Sequence, residues 1–328
     1  MRRREFIGLV GGAAAWPLAA RAQQRQMPRV GVLMGNAESD PQGQEMSQAF
    51  RTRLSQLGWV DGDNVRIDYR WAAAHADRFV TAAQELVALK PNVVVASTTP
   101  SLQAFRRQTQ TIPIVFTAVT DPLGQGFLQN LARPAGNITG FMTYEASLGG
   151  KWLALLKEIA PAVKRVAILF NPTTAPYFNF FLPDMESAAA ALGMATIRMP
   201  VQSPLEIDRA IGDFAREPNG GLSNVPDGFL TEHRERIVAL AEQYRLPSAF
   251  GGDYWARSGA LLSYGPELLE VYRGAASYVD RILRGAKPAD LPVQAPVKYR
   301  LGVNLKTARA LGLTVSNQLQ ILADELIE

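Results

Sequence analysis

Ser97, Thr98 and Thr99 close the apolar run NVVVAS and open the segment TTPSLQAFRRQTQ, which reads as a helix with a Pro in its first turn. Three hydroxyls at a helix N-terminus can hold a carboxylate, because unpaired N–H groups and the helix dipole favour negative charge there. One of the threonines can equally serve as a plain N-cap. Asn36 and Asn171 occupy matching loops after matching apolar runs. An Asn both donates and accepts hydrogen bonds, which suits a zwitterionic ligand, though loop asparagines also stabilise turns. Asp121 and Asp253 can each pair with an ammonium, and Asp121-Pro122 is also a good turn starter. Tyr254 and Trp255 beside Asp253 offer an aromatic wall. Thr117 and Asn224 complete a set of small polar residues at the ends of apolar runs. Tyr264 and Tyr144 stand where aromatics either touch ligand or pack a hinge, and Tyr177 and Phe178 follow the Asn171 loop.

Other chemistry is poorly supplied. The chain has no cysteine, which removes disulfides, thiolate metal sites and Cys nucleophiles. Its two histidines, His75 and His233, lie in polar segments without metal-ligand spacing. No G-x-S-x-G elbow and no G-x-G-x-x-G after a strand is present. No catalytic residue, metal or cofactor is therefore expected. A cleft hydrolase using Asp121 and Asp253 is the enzymatic alternative.

The first 22 residues, MRRREFIGLVGGAAAWPLAARA, read as an export signal: basic start, short apolar stretch, small-x-small end. Arg3-Arg4-Glu5-Phe6-Ile7 resembles the twin-arginine pattern; an ordinary secretory signal is the alternative. The 328-residue chain carries 34 Lys+Arg against 30 Asp+Glu. Four Arg and one Glu fall in residues 1–22, so the remainder has 30 basic and 29 acidic residues. Such a balance offers no basic stripe for nucleic acid. Nothing after residue 30 is apolar enough over ~18 residues to span a membrane.

From residue 28 short apolar runs alternate with amphipathic segments. RVGVLMG is strand-like; in QGQEMSQAFRTRLSQLG, Met46, Phe50, Leu54 and Leu57 share a helical face. DRFVTAAQELVALK, NVVVAS and IPIVFTAV continue the alternation, which implies parallel sheets covered on both faces. A Gly/Pro-rich stretch at 120–142 interrupts it, and the pattern then restarts. Three pairs recur in the same order: RVGVLMGN with RVAILFN, LKPNVVVASTTPS with REPNGGLSNVPDG, and IPIVFTAVTD with LPSAFGGD. Ordered pairs imply two similar α/β lobes, about 28–142 and 143–261. The segment before the second lobe's helix is expected to be helical only after Pro183. In open parallel sheets the ligand crevice lies beyond the carboxyl ends of the strands, so two such edges would face each other across a cleft.

The stretches DPLGQGFLQNLARPAGNITGF, HRERIVALAEQYRLPSAF, SGALLSYGPELLEVYRGAASYVDRILRGAKPADLPVQAP and NLKTARALGLTV resemble the periplasmic substrate-binding proteins of ABC transporters, in the branch with tryptophan- and tyrosine-binding members. The resemblance implies a type I periplasmic-binding-protein fold: α/β, two Rossmann-like lobes with parallel sheets joined by a hinge. It places crossings near 141–144, 261–264 and 291–295. The expected lobes are then 28–142 plus 262–291 and 143–261 plus 292–328, with helix 267–284 on the first and the tail on the second. It also implies a periplasmic monomer that binds a small carboxylate, an amino acid or related acid, between the lobes. Delivery would be to a membrane permease; a soluble partner of a membrane sensor is the alternative. SNVPDGF departs from the more apolar strand common in the family, so an irregular wall is expected near Asn224.

Overall fold

The computed structural model describes residues 27–328. The expected export signal at 1–22 lies outside them.

The first sheet is built from β1 (Arg29–Met34), β2 (Arg66–Trp71), β3 (Val93–Ala96), β4 (Ile114–Val119) and β5 (Ile138–Met142). Its order is β2-β1-β3-β4-β5 and every pairing is parallel. Helices α1 (Pro41–Gln56), α2 (Ala76–Ala88) and α3 (Thr99–Gln108) connect the first four strands. Alternation within a buried strand sends side chains to two cores. Val93 and Val95 join Phe50 and Leu54 of α1 on one face, while Val94 and Ala96 join Leu86, Leu102 and Phe105 of α2 and α3 on the other.

The second sheet begins after α4 (Leu148–Ile159) with β6 (Arg165–Phe170), followed by α5 (Phe178–Ala191), β7 (Ala195–Pro200), α6 (Pro204–Phe214) and β8 (Gly220–Asn224). Strand order there is β7-β6-β8. The short helices α7 (Gly228–Glu232) and α8 (Arg234–Gln243) lead to β9 (Ala249–Gly251) and β10 (Leu262–Pro266). A bridge between Leu222 and Ser248 sets β8 beside the β9 segment. The C-terminal β11 (Tyr299–Asn304), α10 (Leu305–Leu311), α11 (Asn317–Leu322) and β12 (Glu325–Ile327) extend the sheet as β9-β10-β11-β12. The β10–β11 pair is antiparallel.

The repeat read from the sequence falls in register. Arg29-Val30 and Arg165-Val166 open β1 and β6, and the two Pro-Asn pairs immediately precede β3 and β8. Pro183 lies inside α5, not at its start: the helix begins at Phe178, which stacks on Phe170 of β6, and Phe181 packs among Tyr144, Trp152 and Tyr177.

The chain passes between the lobes around 143–147, at Glu267 and around 295–298. Helix α9 (Leu268–Leu283) packs on α1 through Leu268, Tyr272, Ala276 and Val279, and Trp59 Nε1 donates to Asp280 Oδ1 at 2.8 Å. Two segments sit differently from the expected division. Residues 262–266, placed by the sequence with the first lobe, are β10 and pair with β9 and β11 in the second sheet. Gln294, placed with the second lobe, exchanges backbone hydrogen bonds with Gly140 and Met142 at the edge of the first. In both cases strand pairing decides, since it satisfies a row of backbone groups that would otherwise be buried unpaired.

Candidate functional site

In the first sheet β1 has β2 on one side and β3 on the other, so the chain reverses its direction of travel between β1 and β3. The second sheet repeats this between β6 and β8. Crevices open at such switch points, beyond the strand carboxyl ends. Here the two crevices face each other and border one cavity lined from both lobes and open on one side to solvent.

The first lobe contributes Gly35 and Asn36 after β1, Ser97 and Thr98 after β3, and Ala118 at the end of β4. Gly35 N–H donates to Ser97 Oγ at 2.7 Å, tying the two loops together. A side chain at Gly35 would sit 2.6 Å from Thr98 Cγ2, so this approach needs glycine. Thr98 caps α3: its Oγ1 lies 2.9 Å from Ser101 Oγ and accepts from Ser101 N–H at 3.4 Å. Met46, Phe79, Leu268 and Tyr272 add apolar surface from α1, α2 and α9.

The second lobe mirrors the tie. Asn171 N–H donates to Asp227 Oδ2 at 3.1 Å, joining the β6 and β8 loops as Gly35 and Ser97 join β1 and β3. Asp227 also accepts from Thr174 Oγ1 at 3.1 Å and caps α7 through Leu230 N–H at 2.8 Å. The Phe229 backbone N–H is a fourth donor toward it, so the carboxylate, with about four acceptor positions, is held in a fixed orientation at the cavity wall. Burial pushes the Asp227 carboxyl up to about 6, with the backbone and Thr174 donors pulling the other way. Tyr177, whose hydroxyl donates to Pro226 O at 2.7 Å, and Tyr254, bonded to Thr231, complete this wall. Burial raises the hydroxyls of Tyr144, Tyr177 and Tyr254 well above the ordinary value and Tyr272 to about 12, so all four are neutral hydrogen-bonding groups. The lining contains no Lys or Arg, and Asp227 is its one carboxylate.

Asn36, Ser97 and Thr98 thus line the cavity. The Asn36 amide donates Nδ2–H to Asp40 Oδ2 at 2.6 Å, which turns its Oδ1 away from Asp40 as a free acceptor. The other candidates lie outside the lining. Thr99 is buried beneath the first turn of α3, and Thr117 lies beside the Tyr272 hydroxyl. Asp121 closes its own turn on Gly124 N–H. Asn171 caps a turn with Thr173 N–H, and Asn224 holds Gly251 N–H. Asp253 faces a neighbouring cavity that shares Gln42, Met46, Tyr254 and Leu268 with the first. Tyr264 stacks on Tyr299. Asp227 is the residue missed: its Pro-Asp-Gly setting marked a turn, and only the β6–β8 adjacency brings it to the cleft. Tyr272 arrives from α9, far along the chain, with no local signal. Among the described residues no three His, Asp or Glu groups are placed to hold a metal, and no helix is long and apolar enough to cross a membrane.

The family model for ABC transporter substrate binding proteins matches residues 37–327. The chain belongs to that family. It is 26% identical over 289 residues to the tyrosine-binding protein of Clostridioides difficile (strain R20291), covering 87% of this chain and 82% of the relative. Among solved structures, a conserved domain protein from Vibrio cholerae is 27% identical with a TM-score of 0.85, over 92% of this chain and 100% of the other. The ABC domain from Streptococcus pneumonia in complex with L-Trp has a TM-score of 0.84 at 23% identity, over 92% and 99%. A ligand-free, open substrate binding protein from Clostridium difficile has a TM-score of 0.66 at 22% identity, over 92% and 99%. This substrate-binding protein therefore has the two-lobe periplasmic-binding-protein fold, and its cavity lies where the two lobes meet.

Proposed function

We propose that this substrate-binding protein captures a free amino acid, aromatic side chains foremost, and presents it to the permease of an ABC importer. The observation that carries the reading is the pairing of unlike polar groups on opposite walls. The α3 N-terminus with Ser97 and Thr98 suits a carboxylate. The fixed, buried Asp227 carboxylate and the Asn36 Oδ1 suit an ammonium. Met46, Phe79, Leu268 and the tyrosines offer a mostly apolar space for a side chain. The tyrosine-binding relative and the L-Trp complex support the aromatic choice. The higher TM-score to the L-Trp complex than to the open form, over equal shares of this chain, supports a closed arrangement of the lobes. The work of the cleft is binding, not turnover, and its place is the periplasm, reached by the N-terminal signal.

The test is calorimetric titration with L-tyrosine, L-tryptophan and their 2-oxo acid counterparts. The amino acids should bind at least tenfold tighter, since the oxo acids bring no cation to Asp227 and no donor to Asn36. Equal affinity for both series, or chemical conversion of the ligand, would contradict the reading.

A further inference from the structure

Asp40 and Arg234 belong to different lobes. Asp40 caps α1 in the first, and Arg234 opens α8 in the second. Their side chains meet at 2.6 Å, Arg234 Nη2 donating to Asp40 Oδ1, and are only 5% and 14% exposed. Neither lines the ligand cavity, yet each is bonded to a residue that does. Asp40 Oδ2 accepts from Asn36 Nδ2 at 2.6 Å. Arg234 Nη1 donates to Thr231 O at 2.9 Å, and the Thr231 hydroxyl lies 2.7 Å from that of Tyr254. Nearby, Ala37 N–H reaches across to Glu232 Oε2 at 3.4 Å.

We propose that the Asp40–Arg234 pair is the clamp that holds the lobes closed and sets ligand residence without touching ligand; this rests on the two-lobe binding reading above. The pair exists only when the lobes are together. A buried pair broken by loss of one partner leaves a stranded charge, whereas in the open form water solvates both groups. Loss of Arg234 therefore penalises the closed form alone. Apparent affinity scales with the closed fraction, so it falls by the factor by which closure falls. Asp40 also fixes the Asn36 amide with Oδ1 free, so the acceptor offered to ligand is set by the same carboxylate that grips the opposite lobe. Being buried, the pair resists screening by salt.

The experiment compares wild type, Arg234→Gln and Asp40→Asn/Arg234→Gln by small-angle scattering without ligand and by stopped-flow release of L-tyrosine. Asn at position 40 keeps a good cap for α1. Arg234→Gln should have a larger radius of gyration than wild type and release L-tyrosine at least tenfold faster, with an unchanged melting temperature. The double variant, which strands no charge, should recover part of both losses; a purely structural role for Arg234 would not produce that recovery. Equal radii for ligand-free wild type and Arg234→Gln would overturn the clamp. If wild type binds no amino acid, the binding reading fails by itself, and the scattering comparison still decides the clamp.

Discussion

Burial raises the Asp227 carboxyl to about 6 although four donors on it pull downward. The unfolded chain gives up this proton near 3.8, so between about 4 and 6 the folded chain holds more protons. The contribution of Asp227 to stability is therefore greatest below about 4, declines as pH rises to about 6 and is level above that. Asp227→Asn keeps the α7 cap and removes the titration. The melting temperature of wild type minus that of the variant should fall between pH 4 and 6 and be flat on either side; Asp253, also raised to about 6 by burial, cancels in the difference. Ligand binding should run the other way. An ammonium beside Asp227 favours the ionised form, so wild-type affinity for L-tyrosine should rise as pH climbs through about 6, while the variant binds weakly at every pH. Parallel affinity profiles would remove Asp227 from the ligand contact.

At the scale of elements, the first turn of α3 serves as cap and anion site together. Thr98→Ala should cost about 1 kcal/mol of stability, a typical N-cap loss, measured by urea unfolding. It should also weaken L-tyrosine binding about tenfold or more, the worth of one hydrogen bond to a charged group, measured by calorimetry. A stability loss with unchanged affinity would leave Thr98 as a cap alone. Most of this element order was legible, because β1, β3 and β4 are dominated by apolar residues and α1 and α2 carry clean helical faces. β8 was harder. Its GGLSN is fully buried through small side chains, with Leu156 and Val163 packed where a Gly221 side chain would stand, so hydrophobicity gives little signal. The hydroxyls of Ser97 and Thr98 were legible as a helix start. Asp227 and Tyr272 were not, since their places depend on which strands and helices become neighbours. Asp253 was the second-lobe carboxylate that the sequence singled out, but its loop follows β9, one strand farther from the switch point.

For the whole molecule, the two lobes repeat one plan: a loop after the first strand tied to a loop after the third, through Ser97 in one and Asp227 in the other. The chemical difference between those two ties, hydroxyl against carboxylate, gives the cleft its two unlike ends. Export is a property of the whole chain as well. Replacing Arg3 and Arg4 with Lys should leave precursor in the cytoplasm, seen by cell fractionation; normal export of that variant would reject the twin-arginine route. The central claim is that one small amino acid draws both lobes together. The Asp40–Arg234 pair keeps only part of the ligand-free population closed, and ligand completes closure through contacts that exist only when both walls touch it, because a ligand indifferent to the two states shifts nothing. The most direct measurement is small-angle scattering during titration with L-tyrosine. The radius of gyration should fall saturably, with the midpoint found by calorimetry. Heat of binding with an unchanged scattering curve would contradict the account.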